Sequence, residues 1–142
     1  MARTRVKKAT SQAAWEAVQN NARAVILDVR TTIEYRYVGH PIGAVHVPWQ
    51  EAPGWQINGT FVTEVRNALR ARSGDGEEIE TMPVFTICRS GKRSLAAGEE
   101  LAMHGFKEVY NIEEGFEGDL DENKHRSGVN GWRFRGMPWE QT

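Results

Sequence analysis

Cysteine is almost absent from this chain of 142 residues, which holds only Cys88. No internal disulfide can form, so the fold rests on burial alone, as in a reducing compartment. Long apolar runs are missing as well, and nothing approaches the roughly 20 residues of a membrane-spanning helix. Nor is there a surplus of charge: 18 Lys and Arg against 19 Asp and Glu leave a formal net charge of -1. That balance gives no global reason to expect nucleic acid or a membrane surface as a partner. No internal repeat or domain boundary is visible, and the length fits one domain with one core. The opening MARTRVKK is basic, but no apolar stretch follows it. Residues 1–9 are therefore expected to be a flexible, solvated end, and the protein to be cytoplasmic.

What is present is an alternation of strand and helix patterns. Thr10 or Ser11 can cap a helix through TSQAAWEAVQNN, with Ala14, Trp15 and Val18 on one side. Ala24 to Leu27 is a continuous apolar run ending in Asp28 and Arg30, the pattern of a strand buried on both faces of a parallel sheet. After the polar TTIEYRY, Ala44 to Val47 reads as a short strand. Phe61, Val65 and Leu69 recur every four residues and predict a helix to about Arg72. SGDGEE reads as an exposed loop and Pro83 to Ile87 as the next strand. SLAAGEELAMHG then reads as a helix ended by Gly105, in which Ala96, Ala97 and Gly98 allow close approach to a sheet. KEVYNI gives a last strand. The expected fold is α/β, with a mainly parallel central sheet flanked by helices over residues 10–142. Residues 118–130 read as a polar loop, and Trp132, Phe134 and Trp139 as anchors that pack the tail, 131–142, onto the body.

The single cysteine stands in CRSGKRS, residues 88 to 94, directly after the apolar PVFTI. A loop leaving a parallel strand at its C-terminal end and entering a helix lies where open α/β sheets bind ligands. Its backbone N–H groups and the helix N-terminus stabilise an anion, whether a bound oxyanion or a thiolate. Arg89, Lys92 and Arg93 add full charges. Cys88 so placed is expected to ionise readily and to act as a nucleophile. The bland alternative is a small buried hydrophobe.

CRSGKRS after an apolar strand resembles the active-site loop of the rhodanese family of sulfurtransferases, C-x-x-G-x-R followed by a small polar residue. DVR at 28 to 30, Glu34, GHPIGAVHVPW at 39 to 49, GF-x-x-V-Y-N at 105 to 111 and GMP at 136 to 138 also match, in order and spacing. Two departures stand out: Glu114-Gly115 where the family usually has two glycines, and the extra polar stretch from Gly118 to Asn130. The resemblance implies sulfur transfer in two halves. Cys88 takes sulfane sulfur from a small donor, thiosulfate or a persulfide, and holds it as a persulfide. An external thiol, a sulfur-carrier protein or cyanide then removes it. Arg89, Ser90, Gly91, Lys92, Arg93 and Ser94 form the substrate cradle, and no cofactor is implied.

Two other readings of the same loop compete. Protein phosphatases place five residues between cysteine and arginine; here Arg89, Ser90, Gly91 and Lys92 are the four between Cys88 and Arg93. That shorter loop goes with sulfur chemistry rather than phosphate or arsenate, and Ser94 stands where a phosphatase needs arginine. A non-catalytic binding module of the same fold usually lacks the cysteine. Asp28 and Arg30 are expected to support the loop, Asp28 by accepting from the loop or from Arg93, or else by capping its own turn. His40 and His46 are read as satisfied structural histidines. Asp119, Asp121 and Asn123 alternate like the start of a calcium loop. Lys124 and Asn130 stand where glycine and glutamate are required, so a solvated loop and no metal are expected.

Overall fold

Val25, Ile26, Leu27 and Asp28 are all buried, which requires cover on both faces of their strand. The computed structural model, which describes residues 5–73 and 78–142, supplies it with helices on either side of a five-stranded sheet. The sheet runs in the order β1 (Val6–Ala9), β6 (Val109–Ile112), β5 (Val84–Ile87), β2 (Val25–Asp28), β4 (Val45–His46), with every ladder parallel. Alternation along the strands divides the core. Val25, Leu27, Val84 and Val109 pack against α2 (Phe61–Ser73) and α3 (Lys92–Met103) through Phe61, Val65, Leu69, Ala97 and Leu101. Ile26, Phe85, Ile87 and Ile112 meet α1 (Ser11–Asn20) through Ala14, together with Phe116 and Trp132. Thr10 is the cap of α1, its hydroxyl accepting from the Ala13 N–H at 3.0 Å. Among the described residues no helix is long and apolar enough to cross a membrane.

Several expectations are corrected. Val6–Ala9 is no frayed end: it is the edge strand β1, in register with Val109 to Ile112, because Val6 reaches the core while Lys7 and Lys8 face water. The polar TTIEYRY runs into one π-helical turn, Glu34–Val38. β6 is not the last strand. β3 (His40–Pro41) and β7 (Trp139–Glu140) pair antiparallel and tie the tail to the body. Helix α3 begins at Lys92, two residues before Ser94, so Lys92, Arg93 and Ser94 all lie in its first turn. Of the small residues on α3, Ala96 is exposed; a Cβ on Gly98 would sit 3.2 Å from Val109 and 3.3 Å from Val6, which is where the helix meets the sheet. The loop expected at SGDGEE falls, over 74–77, outside the described residues.

Met137 and, edge-on to Phe116 at 6.1 Å, Trp139 help to pack the tail, but its one fully buried aromatic anchor is Trp132. That indole is fully buried, edge-on to Trp15 at 6.0 Å, and its N–H donates to the Pro138 carbonyl at 2.9 Å. Phe134 and Trp139 stay exposed, Trp139 lying 5.5 Å from the Arg133 guanidinium. The polar loop is closed at its base, where the Asn130 amide oxygen accepts from the Asp119 N–H at 2.8 Å. Within it the Asp121 carboxylate accepts from the N–H groups of Asn123 and His125, both at 2.8 Å. Its acidic residues therefore serve their own turns.

Candidate active site

β5 lies in the middle of the sheet, and Cys88 is the first residue beyond its C-terminal end. Its Sγ accepts from the Gly91 N–H at 3.1 Å and lies 3.2 Å from the Ser94 hydroxyl; the residue is 1% exposed. The loop carbonyls are tied from outside. Cys88 O accepts from the Phe116 N–H at 2.8 Å, and Arg89 O from the N–H groups of Glu117 and Gly118, both at 3.1 Å. With carbonyls outward, the loop has the hydrogen-bond polarity of an anion cradle.

Two glycines make this geometry possible. Gly91, at φ +105°, caps α3; a Cβ there would fall 2.1 Å from the Glu113 carbonyl oxygen. Gly115, at φ +71°, lies under the loop, where a Cβ would come within 2.5 Å of the Arg89 carbonyl group. This explains the Glu114-Gly115 departure: only the second position touches the loop. Glu114 instead points away, accepting from Ser11 at 2.7 Å and pairing with Arg135 at 3.1 Å.

The loop cations divide into two kinds. Arg89 and Lys92 are exposed and carry no ion pair among the described residues. Ser90 is half-buried between them. Arg93, expected as a charge of the cradle and as one of the donors offered to Asp28, is bound bidentately by Glu34 at 2.7 and 2.9 Å. Burial works to raise the Glu34 carboxyl, but the Arg93 guanidinium and the Thr31 hydroxyl and amide outweigh it and hold the group at about 2. The same carboxylate raises Arg93, against the opposing effect of burial.

Asp28 does not reach Arg93 or the loop. It is bonded by Arg30 Nε at 3.0 Å and Nη2 at 2.6 Å, with the Arg30 N–H closing the turn at 3.1 Å, and both side chains are fully buried. Capping its own turn was the right alternative. Arg30 also donates to the Gly39 carbonyl at 2.5 Å and lies 4.5 Å from the centre of the Phe116 ring. The Phe116 N–H in turn donates to Cys88 O, so Arg30 meets the loop only through packing on that residue. His40 and His46 both stack on the Tyr35 ring, at 3.7 and 4.2 Å, and their nitrogens meet the carbonyls of Tyr35 and Arg30, each at 2.8 Å. Both are structural, as expected.

Two features escaped the sequence reading. Asn111 contacts both Ser94 and Gly91 from β6 (2.5 and 3.1 Å). Its signal was a polar residue in VYNI, in register with buried Thr86, whose hydroxyl donates to the Ser94 carbonyl at 3.0 Å. The second is a cleft of about 480 Å³ beside the loop, walled by Ile33, Val38, Ala52 and Trp55 and closed by Arg89 and Arg93. Nothing in the sequence pattern brings residues 31–38 and 52–55 together. Among the described residues no cluster of three or more His, Cys, Asp or Glu side chains is arranged to hold a metal ion.

Known proteins share this architecture. The Mycobacterium tuberculosis protein Rv0390 superimposes with a TM-score of 0.81 at 36% identity, covering 96% of this chain and 98% of its own. Protein RP600 of Rickettsia prowazekii is 30% identical over 138 residues, 95% of this chain and 98% of the relative. The thiosulfate sulfurtransferase GlpE of Glaesserella parasuis is 31% identical over 109 residues, 77% of this chain and 82% of that protein. Residues 10–122 match the rhodanese-like domain, and with its parallel sheet and cysteine loop the chain belongs to that family.

Proposed function

We propose that the protein is a sulfurtransferase in which Cys88 carries sulfane sulfur between a small donor and an external acceptor. One observation carries the reading: the chain's single thiol stands at the end of the central strand, meeting the Gly91 N–H and the Ser94 hydroxyl inside a loop of outward carbonyls. Kinship with a thiosulfate sulfurtransferase supports it. The Cys88 thiolate attacks the outer sulfur of thiosulfate; the sulfur–sulfur bond breaks and sulfite leaves with the electron pair. A persulfide remains on Sγ. A thiol, cyanide or a sulfur-carrier protein then attacks the outer persulfide sulfur, and the Cys88 thiolate departs. With no second cysteine in the chain, the acceptor must come from outside. The apolar cleft beside the loop is wide enough for an organic thiol.

A phosphoryl reading fits less well, because the guanidinium that would clamp a phosphate is already clamped on Glu34. The test is direct. After incubation with thiosulfate, intact mass should show one added sulfur, mapped to Cys88, absent in Cys88→Ser and removed by cyanide. Absence of the adduct, together with turnover of an aryl phosphate, would replace the proposal.

A further inference from the structure

The contact between Ser94 and Cys88 holds a question of proton ownership. A serine hydroxyl has one proton and two lone pairs, and the Ser94 oxygen has two neighbours: Cys88 Sγ at 3.2 Å and Asn111 Oδ1 at 2.5 Å. The orientation of the Asn111 amide is decided by its other end. Its nitrogen lies 3.1 Å from the Gly91 carbonyl oxygen, which can only accept, so the amide oxygen must face Ser94. An amide oxygen cannot donate. The hydroxyl proton therefore belongs to the Ser94–Asn111 bond, and Ser94 turns a lone pair toward Sγ.

A lone pair welcomes a thiol and repels a thiolate. The one hydroxyl proton cannot serve both Asn111 Oδ1 and Sγ; once it is given to Asn111, the 3.2 Å contact holds only with a Cys88 thiol donating to Ser94 Oγ, while Sγ accepts from the Gly91 N–H. When the thiol proton leaves to water, the sulfur keeps one donor until the Ser94 hydroxyl turns from Asn111 to Sγ. We propose that Asn111 is a positioning residue that holds Ser94 as an acceptor and so opposes release of the Cys88 thiol proton. Nucleophile formation is then coupled to a hydroxyl rotation inside a fully buried triad, Cys88–Ser94–Asn111, whose members are 1%, 0% and 6% exposed. This inference concerns the thiol alone and holds whatever donor or acceptor the protein uses. It adds a contact to the backbone N–H groups, helix N-terminus and loop cations expected from sequence to stabilise the thiolate.

The experiment is the pH profile of Cys88 alkylation by iodoacetamide in the full chain, with the plateau rate and the midpoint read separately. Asn111→Ala releases the hydroxyl to donate to the thiolate, and the midpoint should move to lower pH, with alkylation about three- to tenfold faster on the acid side. Asn111→Asp keeps an acceptor and adds a negative charge, so the midpoint should move to higher pH. In a Ser94→Ala background neither substitution should act through the hydroxyl, and Asn111→Ala should leave the midpoint in place. A merely structural role, through the lost tether to Gly91, would change the plateau rate and, by loosening the Gly91 N–H on Sγ, leave the midpoint in place or raise it. The proposal is overturned if Asn111→Ala leaves the midpoint unmoved or raises it. An equal lowering with and without Ser94 would overturn it as well.

Discussion

Replacing Glu34 by glutamine removes one charge from the Glu34–Arg93 pair and little volume. At about 1.4 kcal/mol per pH unit, the lowering of Glu34 from 4.5 to about 2 sets a ceiling of about 3.5 kcal/mol on what ionisation gains from folding. The side chains are 18% and 17% exposed, so solvent screens part of that, and about 2 kcal/mol is the expected loss. Such a loss lowers Tm by roughly 6 °C in a domain of this size. The sign with pH is fixed. A carboxyl lowered by folding stabilises fully above the unfolded value of 4.5, and the benefit fades as pH falls toward about 2. Urea unfolding of both proteins should show the full gap at pH 7 and less than half of it at pH 3. An undiminished gap at pH 3, or none at pH 7, would refute the ionic account. Glu34→Gln should also lower KM for thiosulfate, because Arg93 is then an uncommitted cation at the cleft.

Three further outcomes follow from the same geometry. Arg89→Ala or Lys92→Ala should raise KM for thiosulfate more than it lowers kcat, by roughly five- to thirtyfold in kcat/KM. Added salt should weaken the native protein more than these variants, and steady-state assays with an uncharged donor should show little change. Gly115→Ala places a Cβ 2.5 Å from the Arg89 carbonyl at φ +71°, and should cost at least ~2 kcal/mol in thermal unfolding and slow Cys88 chemistry with it. Trp55→Ala should raise KM for an aromatic thiol acceptor about tenfold and leave cyanide unaffected, since only the larger acceptor uses the cleft wall.

The central strands were legible because burial on both faces makes their runs almost wholly apolar, broken only by Asp28 at the end of VILD and Thr86 within VFTI. Helix α2 was legible from its four-residue spacing. β1 was not, because an edge strand needs only one inward residue, and Val6 between basic neighbours carries no period. The start of α3 was misjudged because Gly91, which looks like loop, is its cap. In the site, the thiol and its loop could be read locally. Glu34 and Arg93, 59 positions apart, could not be paired from residue types, and one of the partners offered for Asp28, Arg93, belongs to Glu34. Asn111 was visible only as a polar residue in a buried strand, a signal that gains meaning once β5 and β6 are aligned.

Where β1 sits has a practical side for anyone trimming this protein. The family match spans 10–122, and a fragment cut at those limits loses β1 at one end and Trp132 and β7 at the other. Without β1, the backbone of β6 becomes a bare edge along Val109–Ile112, flanked by apolar side chains, with no lysine to discourage a second molecule from adding its own strand. Lys7 and Lys8 thus act as colloidal insurance: they let the edge strand close the sheet while repelling its copies. The trimmed fragment would keep every residue of the cysteine loop and still be the more prone to precipitate.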